Sequence, residues 1–239
     1  MSQAISTRET RECAREVKFL IDPDMAGRIR SWARARLSPD PYASGDDADQ
    51  YETTSLYLDT DAFDVFNRNG SYGRSKYLIR RYGTSDVVFL ERKMRTSSLL
   101  TKRRTIVSID GLRHLSEPAV DSSWPGLWFY KRIHVRKVHP AAQVSYSRTA
   151  RVGAATWGPM RLTLDEQLRA QPASGLVFEA SEGVPVMEDK TILELKFRVE
   201  MPALFRQLVE EFALAPAAIS KYRLSADRLS LAPAARLTA

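Results

Sequence analysis

The sequence predicts an α+β protein in which eight antiparallel strands carry helices packed outside them and form either a closed barrel or an open sheet. Three observations predict it. Eight stretches rich in Val, Ile, Leu, Phe and Tyr are separated by short breaks, three stretches show helical spacing, and one side of most strands collects Lys, Arg and Glu.

The first strand spans 15–21, with Glu16 and Lys18 opposite Val17 and Phe19. A helix follows over 23–37: Asp22 stands as its cap, Pro23 opens its first turn, and Met25, Ile29 and Trp32 recur at helical spacing. Segment 38–49, with Pro, Gly, Ser and four Asp, reads as a solvated loop. Strands follow over 53–59, 75–82, 87–95 and 103–110, and later over 143–150, 161–167 and 191–198. The breaks at Gly83 to Ser85 and Trp157 to Pro159 suit antiparallel hairpins. Two more helices read over 202–212, where Leu204, Leu208 and Phe212 make an apolar stripe, and over 219–229.

A chain of 239 residues, 44% hydrophobic and 27% charged, suits one globular domain, taken here as 15–231 between a flexible segment 1–14 and a tail 232–239. No apolar run reaches the roughly 18 residues that span a bilayer, and the N-terminus lacks a signal-peptide centre, so the expected location is the cytoplasm. The one cysteine, Cys13, supports neither a disulfide nor a zinc site. A net charge of +7 points to an anionic partner. Because many of the basic residues alternate within strands, nucleic acid is not the partner expected.

The charged side carries Lys76 and Arg80, then Glu91, Lys93 and Arg95, then Lys102 and Arg104. Further on it carries Tyr146 and Arg148, then Arg161, Thr163 and Asp165, and finally Glu194 and Lys196. The other side is largely apolar, interrupted by Arg81, Arg92 and Arg103. If helices cover the apolar side of an eight-stranded barrel, the cations crowd an interior that holds one small ligand, and they need a counter-ion. A polyanion supplies it, with Arg gripping phosphate oxygens in pairs, Lys acting as a point charge, and carboxylates holding a bridging divalent cation. An open sheet with this side in water fits the same pattern.

Other motifs carry less. His114, His134 and His139 lack the spacing of a ligand set, and the stretch KRIHVRKVHP reads as a solvated connection. Asp59 and Asp61 suit a turn after their strand, while Trp124, Trp128, Phe129 and Tyr130 suit packing. No hydrolase triad, Walker loop or GxGxxG is present.

The ordered set EVKF, SLYLDT, KYLIRRYG, FLERK, VSYSRTA, RLTLDEQLRA, ILELKF and ISKYRLS resembles the VTC-type polyphosphate polymerase domain, a branch of the triphosphate tunnel metalloenzymes, from about Glu16 to Arg228. The resemblance implies an eight-stranded antiparallel tunnel that binds ATP, polyphosphate or pyrophosphate with Mn²⁺ or Mg²⁺. It implies that Lys18, Arg80, Lys93, Arg148 and Arg161 bind phosphate, that Glu194 holds the metal, and that Lys221 reaches the tunnel from the last helix. Lys76, Lys102, Arg104 and Lys196 join them as further substrate-binding cations. The activity implied is ATP-dependent polyphosphate synthesis, with a triphosphatase or a non-catalytic polyphosphate-binding module as alternatives. Coupling to translocation then calls for a separately encoded membrane-protein partner, with this chain at the inner face of the membrane. One departure stands out: Leu78 occupies the position where the family's strand carries its first arginine, with Lys76 or Arg81 as the candidate replacement.

Overall fold

The computed structural model describes residues 10–41, 49–96, 99–181 and 183–232. Its strands are β1 (Thr10–Ile21), β2 (Ser38–Pro39), β3 (Gln50–Asp59), β4 (Ser75–Tyr82), β5 (Val87–Thr96), β6 (Leu99–Ser108), β7 (His139–Ala155), β8 (Gly158–Pro172), β9 (Val184–Pro185) and β10 (Thr191–Phe197). Eight of them close in the order β1, β10, β8, β7, β3, β4, β5, β6 and back to β1, every pairing antiparallel. These eight correspond to the strands read from the sequence, although the readings 103–110 and 191–198 run past the ends of β6 at Ser108 and β10 at Phe197. Closure decides for the barrel and against the open sheet. The two-residue strands β2 and β9 pair onto β7 and β8.

The outer face is apolar and covered in two places. Helices α1 (Pro23–Arg34) and, near the C-terminus, Ala203–Glu211 bury Ile29, Trp32, Phe205 and Leu208 against Phe19, Leu164, Leu193 and Leu195. Each such side chain contributes roughly 1.5–3 kcal/mol by leaving water. Asp22 caps α1 as expected, accepting the Met25 N–H at 2.8 Å. On the opposite side, a 3₁₀ turn over Asp110–Ser116 and a helix over Leu127–Arg136 cover Leu56, Ile79, Val88 and Leu90. In chain order the helices are α2 (Asp64–Asn67), α3 (Leu127–Arg136), α4 (Ala203–Glu211) and α5 (Lys221–Arg228).

Helix α3 replaces the expected solvated connection. Its buried residues are Phe129 and Ile133, an i, i+4 pair, and the surrounding charges hide that short stripe in the sequence. The arginines that interrupt the apolar side are accounted for locally. Arg103 lies 4.2 Å over the Trp128 ring, Arg92 lies 6.0 Å from the Tyr77 ring, and Arg81 donates to the carbonyls of Thr84 and Ser85 in the β4–β5 turn.

Two other expectations change. Within segment 38–49, Asp40 and Asp49 are buried: Asp49 accepts from Arg34 and Arg151, and Asp40 faces Arg161 at 2.8 Å. Residues 42–48 lie outside the described residues. Strand β1 begins at Thr10, inside the segment set apart as 1–14, and Thr10 to Ala14 pair with β6. Residues 1–9 and 233–239 lie outside the described residues. Among the described residues, no helix is long and apolar enough to cross a membrane.

A bulge in β8 divides the interior. Gln167, at φ 52°, interrupts the pairing with β7, so Asp165 points inward before it and Leu168 and Ala170 point inward after it. Beyond the bulge the lining is apolar and α5 fills it, packing Tyr222 and Ala226 among Tyr57, Leu78, Val144, Tyr146 and Leu168. Asp59 fastens this end. Its carboxylate accepts the Tyr222 hydroxyl at 2.6 Å and the backbone N–H groups of Thr60, Val65 and Phe66, the turn role read for it from the sequence.

Candidate functional site

On the polar side of the bulge the barrel encloses a cavity of about 800 Å³. Lys18, Lys76, Arg80, Lys93, Lys102, Arg104, Arg148, Arg161, Glu194, Lys196 and Lys221, all picked out from the sequence, line it together. The period-two pattern explains why: β1, β4, β5, β6, β7, β8 and β10 each turn alternate residues to the interior. Among the described residues fourteen Lys and Arg line the cavity against three Glu, so its walls carry a strong excess of positive charge.

Three groups of carboxylates order the cations. On β1 and β10, Lys18 Nζ lies 2.8 Å from Glu16 and 3.6 Å from Glu194. On β5, Glu91 lies 3.2 Å from Arg104 and 3.7 Å from Arg80, and Arg80 also donates to Ser55 at 3.1 Å. On β8, Asp165 takes both Arg148 and, from α5, Lys221 at 2.5 Å. Arg161 is held at the rim by Asp40 and by the Tyr51 hydroxyl at 2.7 Å. Tyr146 is buried beside Arg148 and Lys221, which lie 5.2 and 4.9 Å from its ring centre.

The titration of these groups records the crowding. Burial alone raises the Glu91 carboxyl, yet Arg80, Lys93, Lys102 and Arg104 together hold it far below the usual carboxylate range. Asp165 is likewise pushed up by burial but brought down to about 2 by Arg148 and Lys221. Burial works against the charge on Lys18, but Glu16 and Glu194 outweigh it and raise its pKa. Lys93 and Lys76 show the reverse. Burial, then Arg80 for Lys93 and Lys18 with Lys93 for Lys76, pushes both ammonium groups down to about 7. Lys76 donates to Ser220 at 2.8 Å, whereas Lys93 has no hydrogen-bond or ion-pair partner among the described residues.

Leu78 does not line the cavity. It is fully buried among Tyr57, Tyr146 and Tyr222, where α5 covers it. Of its two candidate replacements, Lys76 lines the cavity and Arg81 is engaged at the β4–β5 turn.

Several participants escaped the sequence reading. Asp40 belongs to an acidic loop segment with no periodicity, and its contact with Arg161 is far off in sequence. Asp165 stands two residues beyond Thr163 on the charged face, but its role as anchor of Arg148 and Lys221 depends on the bulge and on α5. Ser220 doubles as the α5 cap and the partner of Lys76. The histidines stay outside this cavity: His114 pairs with Glu117, His139 with Asp61, and His134 with the Leu115 carbonyl.

The fit of a divalent cation is decided by Glu16 and Glu194, whose carboxylates already share one cation, the Lys18 ammonium. Among the described residues no group of three His, Cys, Asp or Glu converges. Two carboxylates suit Mg²⁺ or Mn²⁺, which complete their shells with water and phosphate oxygens.

Comparison with known proteins places this architecture. The structure is similar to an adenylate cyclase-like protein from Bacillus halodurans, at 14% identity and a TM-score of 0.56, covering 88% of this chain and 95% of that one. It is also similar to an adenylyl cyclase-like protein from Hippeastrum with a dominant triphosphatase activity, at 14% identity and a TM-score of 0.52, covering 90% and 96%. At such identities the likeness is one of fold, the triphosphate tunnel. No curated protein matches the sequence. The family model for the VTC domain matches residues 13–229, nearly the whole chain, and the chain therefore belongs to the VTC domain family.

Proposed function

We propose that this protein carries out metal-dependent phosphoryl transfer on triphosphates and polyphosphate, and that its reaction is the growth of linear polyphosphate from the terminal phosphate of ATP. The observation that carries this reading is the enclosed excess of cations, in which burial and neighbouring charge push Lys76 and Lys93 down to about 7. A phosphate chain relieves that repulsion. Lys18, Arg80, Lys93, Arg148 and Arg161 bind its oxygens and steady the charge that builds on the transferring group. Glu91 and Asp165 keep Arg80, Arg104, Arg148 and Lys221 apart and aimed inward. Glu194, with Glu16, would hold Mn²⁺ or Mg²⁺, which when bound neutralises adjacent phosphate oxygens. An attacking phosphate end is already anionic, so this reaction asks no proton transfer of the protein.

A second reading is hydrolysis of triphosphate. It uses the same lining cations and the same carboxylates, and differs from the first only in that water attacks in place of a phosphate end. Incubation with ATP and Mn²⁺, with products separated on a gel, distinguishes them. Phosphate ladders support polymerisation, and free phosphate alone supports hydrolysis. Binding without either product reduces the protein to a polyphosphate-binding module.

A further inference from the structure

One mouth of the cavity carries four arginines that the reading above leaves without a task. Arg68 and Arg74 lie in the connection from α2 to β4, Arg95 near the end of β5, and Arg223 in the first turn of α5. They share one rim. Antiparallel pairing joins Ser75 to Met94, so the next step outward brings Arg74 opposite Arg95. Arg68 adjoins Gly73, and Arg223 lies 5.6 Å over the ring of Phe66, two residues before Arg68. Arg68, Arg74 and Arg95 are exposed, and none of the four meets a carboxylate among the described residues.

The connection holding Arg68 and Arg74 is built to stay in place. A Cβ at Gly73 would stand 2.7 Å from the Arg68 carbonyl oxygen, so only glycine allows the chain to fold back so closely there. Asn69 is tied to Asp64 at 2.8 Å, and Tyr72 to the Arg136 carbonyl at 3.0 Å. Inside the cavity the cations are ordered by Glu16, Glu91, Glu194 and Asp165, whereas no carboxylate among the described residues pairs with the four arginines of this mouth.

Resting on the reading of the cavity as a phosphate site, we infer that these arginines form a mouth subsite that grips phosphates beyond those the cavity encloses. The subsite makes the protein prefer long linear polyphosphate to tripolyphosphate. Guanidinium groups on a fixed rim suit this task, since each can take two oxygens of any phosphate in a passing chain.

The test measures affinity for linear tripolyphosphate and for long-chain polyphosphate at one ionic strength, in the wild type and in the triple variant Arg68→Gln, Arg74→Gln, Arg95→Gln. These side chains are exposed, so the fold is expected to survive, and circular dichroism checks it. The expected result is a loss of about tenfold in long-chain affinity, reflecting three exposed charge contacts, and a matching shrinkage of the preference over tripolyphosphate. An unchanged preference overturns the subsite. Equal losses for both ligands also overturn it, because the rim would then serve only as a general attracting field. A wild type that binds neither ligand defeats the phosphate reading of the cavity, a failure distinct from the other two.

Discussion

Arg148 on β7 meets Asp165 on β8 through two parallel hydrogen bonds, Nε to Oδ1 at 2.6 Å and Nη2 to Oδ2 at 2.7 Å, inside the closed barrel. The same carboxylate holds Lys221 of α5, so one buried anion joins the two long strands and the terminal helix. Asp165→Asn leaves both cations uncompensated. The expected loss is roughly 3–5 kcal/mol of stability, the usual result of breaking a buried pair from one side. Tripolyphosphate is expected to restore part of it, so the rise in Tm on adding ligand should be larger in the variant than in the wild type. Equal shifts in differential scanning fluorimetry count against a ligand that reaches this pair.

Lys93→Ala is expected to behave in the opposite way. Lys93 has no partner among the described residues and carries the cost of burial beside Arg80, so its removal should leave Tm unchanged or higher. Turnover of ATP should fall ten- to a hundredfold, about 1.4–3 kcal/mol in the barrier, if the ammonium steadies charge on the transferring phosphate. Wild-type turnover in a folded variant rules out that role.

Glu194→Ala should cost metal activation, with part of the loss recovered by raising Mn²⁺, because Glu16 still faces the same position. Removing Glu16 as well should abolish that recovery. Titration of activity against Mn²⁺ in the two variants checks this, and equal midpoints in wild type and Glu194→Ala would speak against the assignment.

Binding should take up protons. In the free protein Lys76 and Lys93 titrate near 7, below their ordinary range, so above that pH the native state holds fewer protons than the unfolded chain and gains stability as pH rises toward the ordinary lysine range. A bound polyanion favours the charged amines and raises both values. Affinity should therefore fall as pH increases above 7, with proton uptake on binding at pH 8. Calorimetry in buffers of different ionisation enthalpy reads this uptake directly, and none should remain in the double variant Lys76→Met, Lys93→Met.

Leu78→Arg, which restores the residue usual in the family at that position, should not improve phosphate binding. The site lies under α5 among three tyrosines, and a guanidinium there is a buried charge whose cross-strand neighbour, Glu91, already serves Arg80 and Arg104. A clear drop in Tm with no gain in polyphosphate affinity is the expected outcome, and tighter binding would show that α5 can yield the space.

The alternation of charged and apolar residues fixes a great deal. Because side-chain direction reverses at every strand residue, Glu16 with Lys18, Glu91 with Lys93, and Glu194 with Lys196 had to share faces whatever the strands did next. That local rule is why the lining cations were legible in the sequence. It cannot say which way the shared face turns. The pairing of β7 with β8 and of β6 with β1 closes the sheet and makes that face an interior, an outcome set by contacts distant in sequence. Period two also fails at Gln167, where one extra residue turns the lining from Asp165 to Leu168 and makes room for α5. The partners followed the same division. Lys18 and Glu194 are register neighbours on β1 and β10, whereas Asp40 reaches Arg161 from a loop and Lys221 reaches Asp165 from a helix. Sequence periodicity determined which charges stand together on each strand. Only the tertiary fold decided which opposite charge each one meets, because those distances are set by closure of the barrel and the seating of α5.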